Sequence, residues 1–91
     1  MNDVHKGPLL TSWPNPFSNK TQIRFSIAGK GIITIKIFDS MGNEVKQLYN
    51  GQLEKGNYEI PFNGSNLSSG IYYCQLQSAG FSKAIKLILQ R

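Results

Sequence analysis

Residues Thr21 to Ile37 read TQIRFSIAGKGIITIKI, and this stretch decides the fold. Ile23, Phe25 and Ile27 alternate with Arg24 and Ser26. A half-buried strand has this period of two, because its successive side chains point to opposite faces. Gly29-Lys30-Gly31 turns the chain. Ile33, Ile35 and Ile37 then alternate with Thr34 and Lys36, and their β-branching suits a pleated surface.

The same period continues downstream. Asp39-Ser40-Met41-Gly42-Asn43 closes one strand and opens the next, Glu44 to Tyr49, where Val45 is the expected buried anchor and Leu48-Tyr49 straddles an edge or bulge. Asn50-Gly51 and Lys55-Gly56-Asn57 bracket a weak segment around Leu53. Tyr58, Ile60 and Phe62 alternate with Glu59 and Pro61, and a proline within a strand implies an edge. A polar loop, Asn63 to Gly70, carries one apolar plug, Leu67. Tyr72, Cys74 and Leu76 then share one phase, Ser78-Ala79-Gly80 turns, and Phe81 to Leu89 forms the last strand with Ile85, Leu87 and Leu89 inward and Ile88 outward. Upstream, Trp13-Pro14-Asn15-Pro16-Phe17 sets two rings around two prolines that favour a stiff, extended approach. Residues 1–12 read as linker, in which Leu9 and Leu10 are apolar enough to pack on the domain, and residues 13–91 as one domain.

No segment carries a helical stripe. Six or seven short strands with Gly and Asn turns predict an all-β, immunoglobulin-like antiparallel sandwich. Sequential hairpins with at least one crossing between sheets are the cheapest connection, and a small barrel is the rival.

Composition excludes several kinds of chemistry. The chain has 91 residues, 40% of them apolar, and a formal charge of +5. That supports one globular core and leaves no room for a second domain. A lone Cys74 forbids an internal disulfide, and the lone His5 leaves no material for a His-based triad or metal cluster. Carboxylates such as Asp39, Glu44, Glu54 and Glu59 do not converge by pattern, and Asp39 reads best as the acceptor of an Asx turn. No catalytic residue, cofactor or metal is expected. Residues 1–12 lack the basic, apolar and small-residue pattern of a Sec signal peptide, so any such signal is expected upstream in a larger protein.

Arg24, Lys36, Lys46, Lys83 and Lys86 fall on strands, where a solvated face outweighs an anion-binding one. Phe25, Tyr58, Phe62 and Tyr72 take the core phase, which argues against a nucleic-acid platform or a glycan site, since both need exposed rings. Cys74 reads as a small buried hydrophobe. Gly70 reads as a backbone device at a strand entrance, used for positive φ or close approach.

Taken in order, these segments resemble the C-terminal sorting domain of type IX (Por) secretion substrates, type A. The box Trp13, Pro14, Asn15, Pro16 and Phe17 resembles the family's opening aromatic-Pro-Asn-Pro-Phe motif, with Trp where Tyr is usual. Ile35 to Asp39 with Gly42 to Val45 matches its middle hairpin, and Leu67 to Tyr73, including Gly70 and Tyr72, its Gly-hydrophobic-Tyr segment. Lys83 to Arg91 resembles the basic, apolar terminal strand, although Ala84 interrupts the paired basic residues and Cys74 takes a place often aromatic.

The resemblance implies an address, not a catalyst. Cargo on the N-terminal side of such a domain passes through the periplasm, and the domain is recognised by the type IX outer-membrane translocon of Bacteroidota-type bacteria. A sortase-like peptidase then removes it, here upstream of the fold, and the cargo reaches the cell surface or medium. By this analogy Lys83, Ile85, Lys86, Leu87, Ile88, Leu89 and Arg91 form the recognised strand, with unpaired edge groups for a partner strand and Lys86 and Arg91 for steering. From sequence alone that strand equally well just closes the sandwich, with Ile88 packed on a loop. The alternative is a structural or adhesion module, similar to the immunoglobulin-like domains of flagellar hook-capping proteins. No nucleic acid or small-molecule substrate is expected.

Overall fold

The computed structural model describes residues 9–91; His5 and most of the expected linker lie outside them. Seven strands, β1 (Leu10–Trp13), β2 (Lys20–Ile27), β3 (Gly31–Asp39), β4 (Glu44–Leu53), β5 (Gly56–Asn63), β6 (Gly70–Ser78) and β7 (Phe81–Leu89), form two sheets. Their orders are β1-β2-β5 and β4-β3-β6-β7, antiparallel throughout. This is the immunoglobulin-like sandwich, not the barrel. One isolated bridge, Phe17↔Leu89, links the two sheets among the described residues.

Three connections join neighbours within a sheet (β1 to β2, β3 to β4, β6 to β7), and three cross between sheets. The Gly29-Lys30-Gly31 turn therefore carries the chain from one sheet to the other, so β2 and β3 face each other across the core. Ile23, Phe25 and Ile27 of β2 and Ile33, Ile35 and Ile37 of β3 are buried from opposite sides, as are Leu10, Phe62, Tyr72, Cys74, Leu76, Leu87 and Leu89, whereas Ile32 points to solvent. Phe25 stacks on Tyr58 at 5.5 Å between centroids, and Phe17 meets Phe62 edge-on at 6.0 Å.

Three expectations need correction. Leu10–Ser12, assigned to the linker, pair with β2 at Phe25, Arg24 and Ile23, and Leu10 is buried, because its apolar side chain takes the core phase of that ladder. Asn50-Gly51 does not break the chain: β4 runs through it opposite Ile33 and Thr34. Its register against β3 shifts twice, leaving Leu48 and Val45 as extra residues, which locates the bulge expected at Leu48-Tyr49 and leaves Val45 only half-buried. Pro61 does sit on an edge, since β5 pairs with β2 alone.

Two local devices hold the ends of the strands. Asp39 Oδ1 accepts from the Met41 and Asn43 amides at 2.9 Å each, the Asx turn read from the sequence, and Gly42 has φ +91°. The Asn43 amide above all, helped by the Asn43 side chain and the Met41 and Gly42 amides, holds the Asp39 carboxyl below its ordinary range. At the start of β6, Tyr72 donates its hydroxyl to Ser68 O at 2.7 Å, a corner of the kind seen before the sixth strand of immunoglobulin-like sandwiches. Gly70 just before it has φ +156° with open space where a Cβ would stand, so backbone conformation and not crowding selects glycine.

Cys74 is wholly buried, and burial pushes its thiol from an ordinary value near 9 up to about 12. Native protein should therefore resist thiol-directed disulfide reagents at pH 8 and react fully once unfolded in urea. Because the folded value is the higher one, this thiol's contribution to stability is intact below pH 9. It is lost as the pH rises from 9 toward 12, where the unfolded chain releases the proton first. Urea midpoints should fall over that range, and a Cys74→Ala variant should show less of the fall.

Candidate functional site

A sandwich built from two open sheets has four edge strands, and each offers unpaired amides and carbonyls to another chain. Here β1 is only four residues long, β5 is interrupted by Pro61, and β4 is twisted by its two register shifts. All three are blunted in ways that discourage pairing. β7 differs: its nine residues pair with β6 from Gly70↔Leu89 to Ser78↔Phe81 without a shift.

The outer edge of β7 is half occupied. Asn15 Nδ2 donates to Lys86 O at 2.8 Å, and Asn15 Oδ1 accepts from the Ile88 amide at 2.9 Å. A side-chain amide thus stands in for a backbone peptide of a neighbouring strand. Two residues on, the Phe17 amide donates to Ile88 O at 2.9 Å, and the Gln90 amide donates to Phe17 O at 2.8 Å. Pro14 to Pro16 is therefore a bend laid against β7, not an extended approach, and both X–Pro bonds are cis. Buried Thr21 donates its hydroxyl to Pro14 O at 2.7 Å and anchors the bend to β2. Phe17 is the hydrophobic peg, buried against Phe62, and a Cβ at Gly64 would stand 3.2 Å from its ring. Close approach, not φ, demands glycine there.

Antiparallel strands alternate residues whose backbone groups point to one neighbour or the other. Since Lys86 O, both Ile88 groups and Gln90 N point outward, the Lys86 amide and both groups of Ala84 and Ser82 do so too. No described residue pairs with them. The free edge is thus the first half of β7, Ser82 to Lys86.

The residues of the expected recognition strand divide into three roles. Ile85, Leu87 and Leu89 face the core, with Leu87 and Leu89 fully buried. Lys83 has the core phase yet is exposed, and an inward-pointing lysine is a common guard against indiscriminate edge pairing. Lys86 and Ile88 lie on the outer face, where Ile88 sits beside Ile71 and Lys86 beside Tyr73. Arg91 is a tie: its guanidinium donates to Ser18 O and Gly64 O at 3.1 Å each, and its amide to Ser69 Oγ. The sequence reading offered Arg91 for steering; its bonds hold the end of the chain to two loops instead.

The cations do not form one basic face. Arg24 pairs with Glu59 at 2.8 Å on the three-stranded sheet, and Lys36 with Glu44 at 3.2 Å on the other. Lys46, Lys83 and Lys86 make no ion pair with a described residue. Among the described residues no group of three His, Cys, Asp or Glu is placed to hold a metal. What sequence reasoning missed is the pairing of Asn15 with β7. A hint lay in the Asn between two prolines, where a polar side chain is held out from a backbone with few conformations of its own.

Asn15→Ala should remove two hydrogen bonds and cost about 1–2 kcal/mol in urea unfolding. In hydrogen exchange the Ile88 amide should lose more protection than the amides of the β3–β6 ladder. An unchanged Ile88 exchange rate would show that Asn15 does not close that edge.

Over residues 11–90 the chain matches the model of a family described as secretion system C-terminal sorting domain. Neither the curated proteins nor the solved structures return a match.

Proposed function

Since the chain belongs to the secretion system C-terminal sorting domain family, we propose that it addresses an N-terminally attached cargo to the type IX outer-membrane translocon, which reads the free half of the β7 edge, Ser82 to Lys86. The observation that carries this reading is the division of that edge. Four hydrogen bonds from the Asn15–Phe17 bend close its second half, while the first half stays regular and open. A partner strand added there gains backbone hydrogen bonds for affinity. Lys83 and Lys86, with no acidic partner among the described residues, favour a strand carrying acidic side chains over a second copy of this basic domain.

The fold also suggests where the address is detached. From Leu10 onward the chain is paired in β1, and proteases need an accessible, unpaired backbone. A sortase-like peptidase is therefore expected to cut before Leu10, closer to the cargo than the sequence boundary at residue 12 implied. The cargo then continues to the cell surface or medium.

Removing Lys86–Arg91 outright would take Leu87 and Leu89 from the core, so the edge is better tested by a point change. Ala84→Pro deletes one outward amide and leaves the β6–β7 ladder bonds in place, whereas Ala84→Val keeps the amide. A reporter fused to residues 1–91, expressed in a bacterium with type IX machinery, should reach the surface as wild type and as Ala84→Val. As Ala84→Pro it should accumulate in the periplasm, with a urea midpoint close to wild type. Surface display of the Ala84→Pro fusion at the wild-type level would refute the edge as the recognised element. Periplasmic retention of the wild-type fusion would refute the sorting role itself. Mass spectrometry of the released reporter should find its new C-terminus before Leu10.

A further inference from the structure

Trp13 belongs to the box that latches β7, yet its ring takes no part in the latch. It is 71% exposed at the end of β1. A large exposed aromatic is the informative exception on a protein surface, and it adds an outward ring to a chain whose Phe25, Phe62 and Tyr72 are buried in the core. Register shows what surrounds it. On the outer face of the three-stranded sheet Trp13 lies opposite Gln22, which lies opposite Pro61. The next row is Thr11, Arg24 and Glu59, and beyond it come Leu9, Ser26 and Asn57. These last six residues, with Phe25 and Tyr58 between them, line a shallow depression of about 430 Å³ that begins one row away from Trp13, within the usual size range of small-ligand sites.

The chemistry of this face is specific. Its hydrogen-bonding groups are amides (Gln22, Asn57), hydroxyls (Thr11, Ser26), one ion pair and the Lys20 ammonium in the row beyond Gln22, with a single flat ring at the corner. Arg24 Nε is held by Glu59 Oε2 at 2.8 Å, so Lys20 is the one cation of this face without an ion pair to a described residue, too little charge to hold a phosphate chain or nucleic acid. Apolar bulk besides the indole is limited to Leu9 and Pro61, too little for the dry centre of a protein interface. Hydrogen-bonding groups of this kind beside one aromatic plate suit a ligand that is rich in hydroxyls and flat on one C–H face.

We infer that the outer face of the β1-β2-β5 sheet is a carbohydrate-binding site, in which the Trp13 indole stacks on one pyranose ring, Gln22 bonds the hydroxyls of that sugar, and Arg24, Glu59 and Asn57 bond those of the sugars that follow it along the face. From Leu9 to Trp13 the face spans roughly 13 Å at ~3.3 Å per residue, which favours a short oligosaccharide over a single sugar. Rings with all-equatorial hydroxyls present the flattest C–H face to the indole. The preferred ligand is therefore a β-1,4-linked gluco-configured chain, and a mannan with its axial hydroxyl is the poorer one. This site is separate from the β7 edge, and neither proposal depends on the other.

Trp13 is the sole tryptophan of the chain, so intrinsic fluorescence reports on it alone. Titration of the 91-residue protein with cellohexaose or chitohexaose should change that emission saturably, with a Kd of about 1 mM, the affinity of an open and shallow site. Mannohexaose should bind several-fold more weakly. In NMR the Gln22 and Asn57 side-chain amides and the Arg24 Nε–H should shift with the same midpoint. Trp13→Ala should abolish these shifts without lowering the urea midpoint, because the ring is not in the core, and Glu59→Gln should weaken binding several-fold. No response from Trp13 and no shift on this face with either gluco-configured hexasaccharide would overturn the inference. So would shifts confined to the other sheet, or binding unchanged in Trp13→Ala.

Discussion

The Asn15 side chain pairs with Lys86 O and the Ile88 amide, and this contact between residues more than seventy positions apart is the constraint on which the rest depends. Without it the sheets are joined by their apolar faces, by the Phe17 backbone bonds to Ile88 and Gln90, and by Arg91 beyond the end of β7. With it the bend at Pro14–Phe17 bridges from β1 at the border of one sheet to β7 at the border of the other and closes that side of the sandwich. Phe17 supplies the burial and Asn15 the direction. An apolar peg alone tolerates sliding, whereas an amide that donates to one carbonyl and accepts from the next amide fixes register along the strand.

The same contact defines the site by what it leaves uncovered. Edges are hazards, and this chain blunts each of them by a different means: shortness in β1, a proline in β5, register shifts in β4, and a latch over half of β7. The half that remains is flat, regular and flanked by lysines, which resist pairing with another copy of a basic domain. Arg91 reinforces the arrangement from the far end by joining the chain terminus to the loops at Ser18 and Gly64. The last strand is thereby held at both of its margins while its first residues stay open to a partner.

How much of this was legible depends on the range of the interaction involved. The core of β2, β3, β6 and β7 could be read residue by residue, because alternation is written in neighbouring positions; Ile23, Ile35, Cys74 and Leu87 are all buried as their phase requires. The Asp39 turn was legible for the same reason, since donor and acceptor lie within four residues. Reading allowed Leu10 to pack but missed its strand, which has too few residues to display a period, and it failed at Asn50-Gly51, where a turn-prone pair is carried through a strand by the ladder to β3. It was silent on Trp13, which shares a motif with Phe17 but not its environment.

Period-two patterning, glycine turns and an ordered set of short motifs were enough, with no coordinates, to give an all-β fold and its inward faces and to point to the family. These follow from local stereochemistry, in which each residue's orientation is set by the one before it. The strand order, the three crossings between sheets, the occupation of half the last edge by Asn15 and Phe17, and the outward turn of Trp13 were decided only by tertiary structure. The physical reason is that edge pairing and surface exposure depend on which distant segments arrive side by side, and hydrogen bonds between such segments leave no period in the chain that makes them.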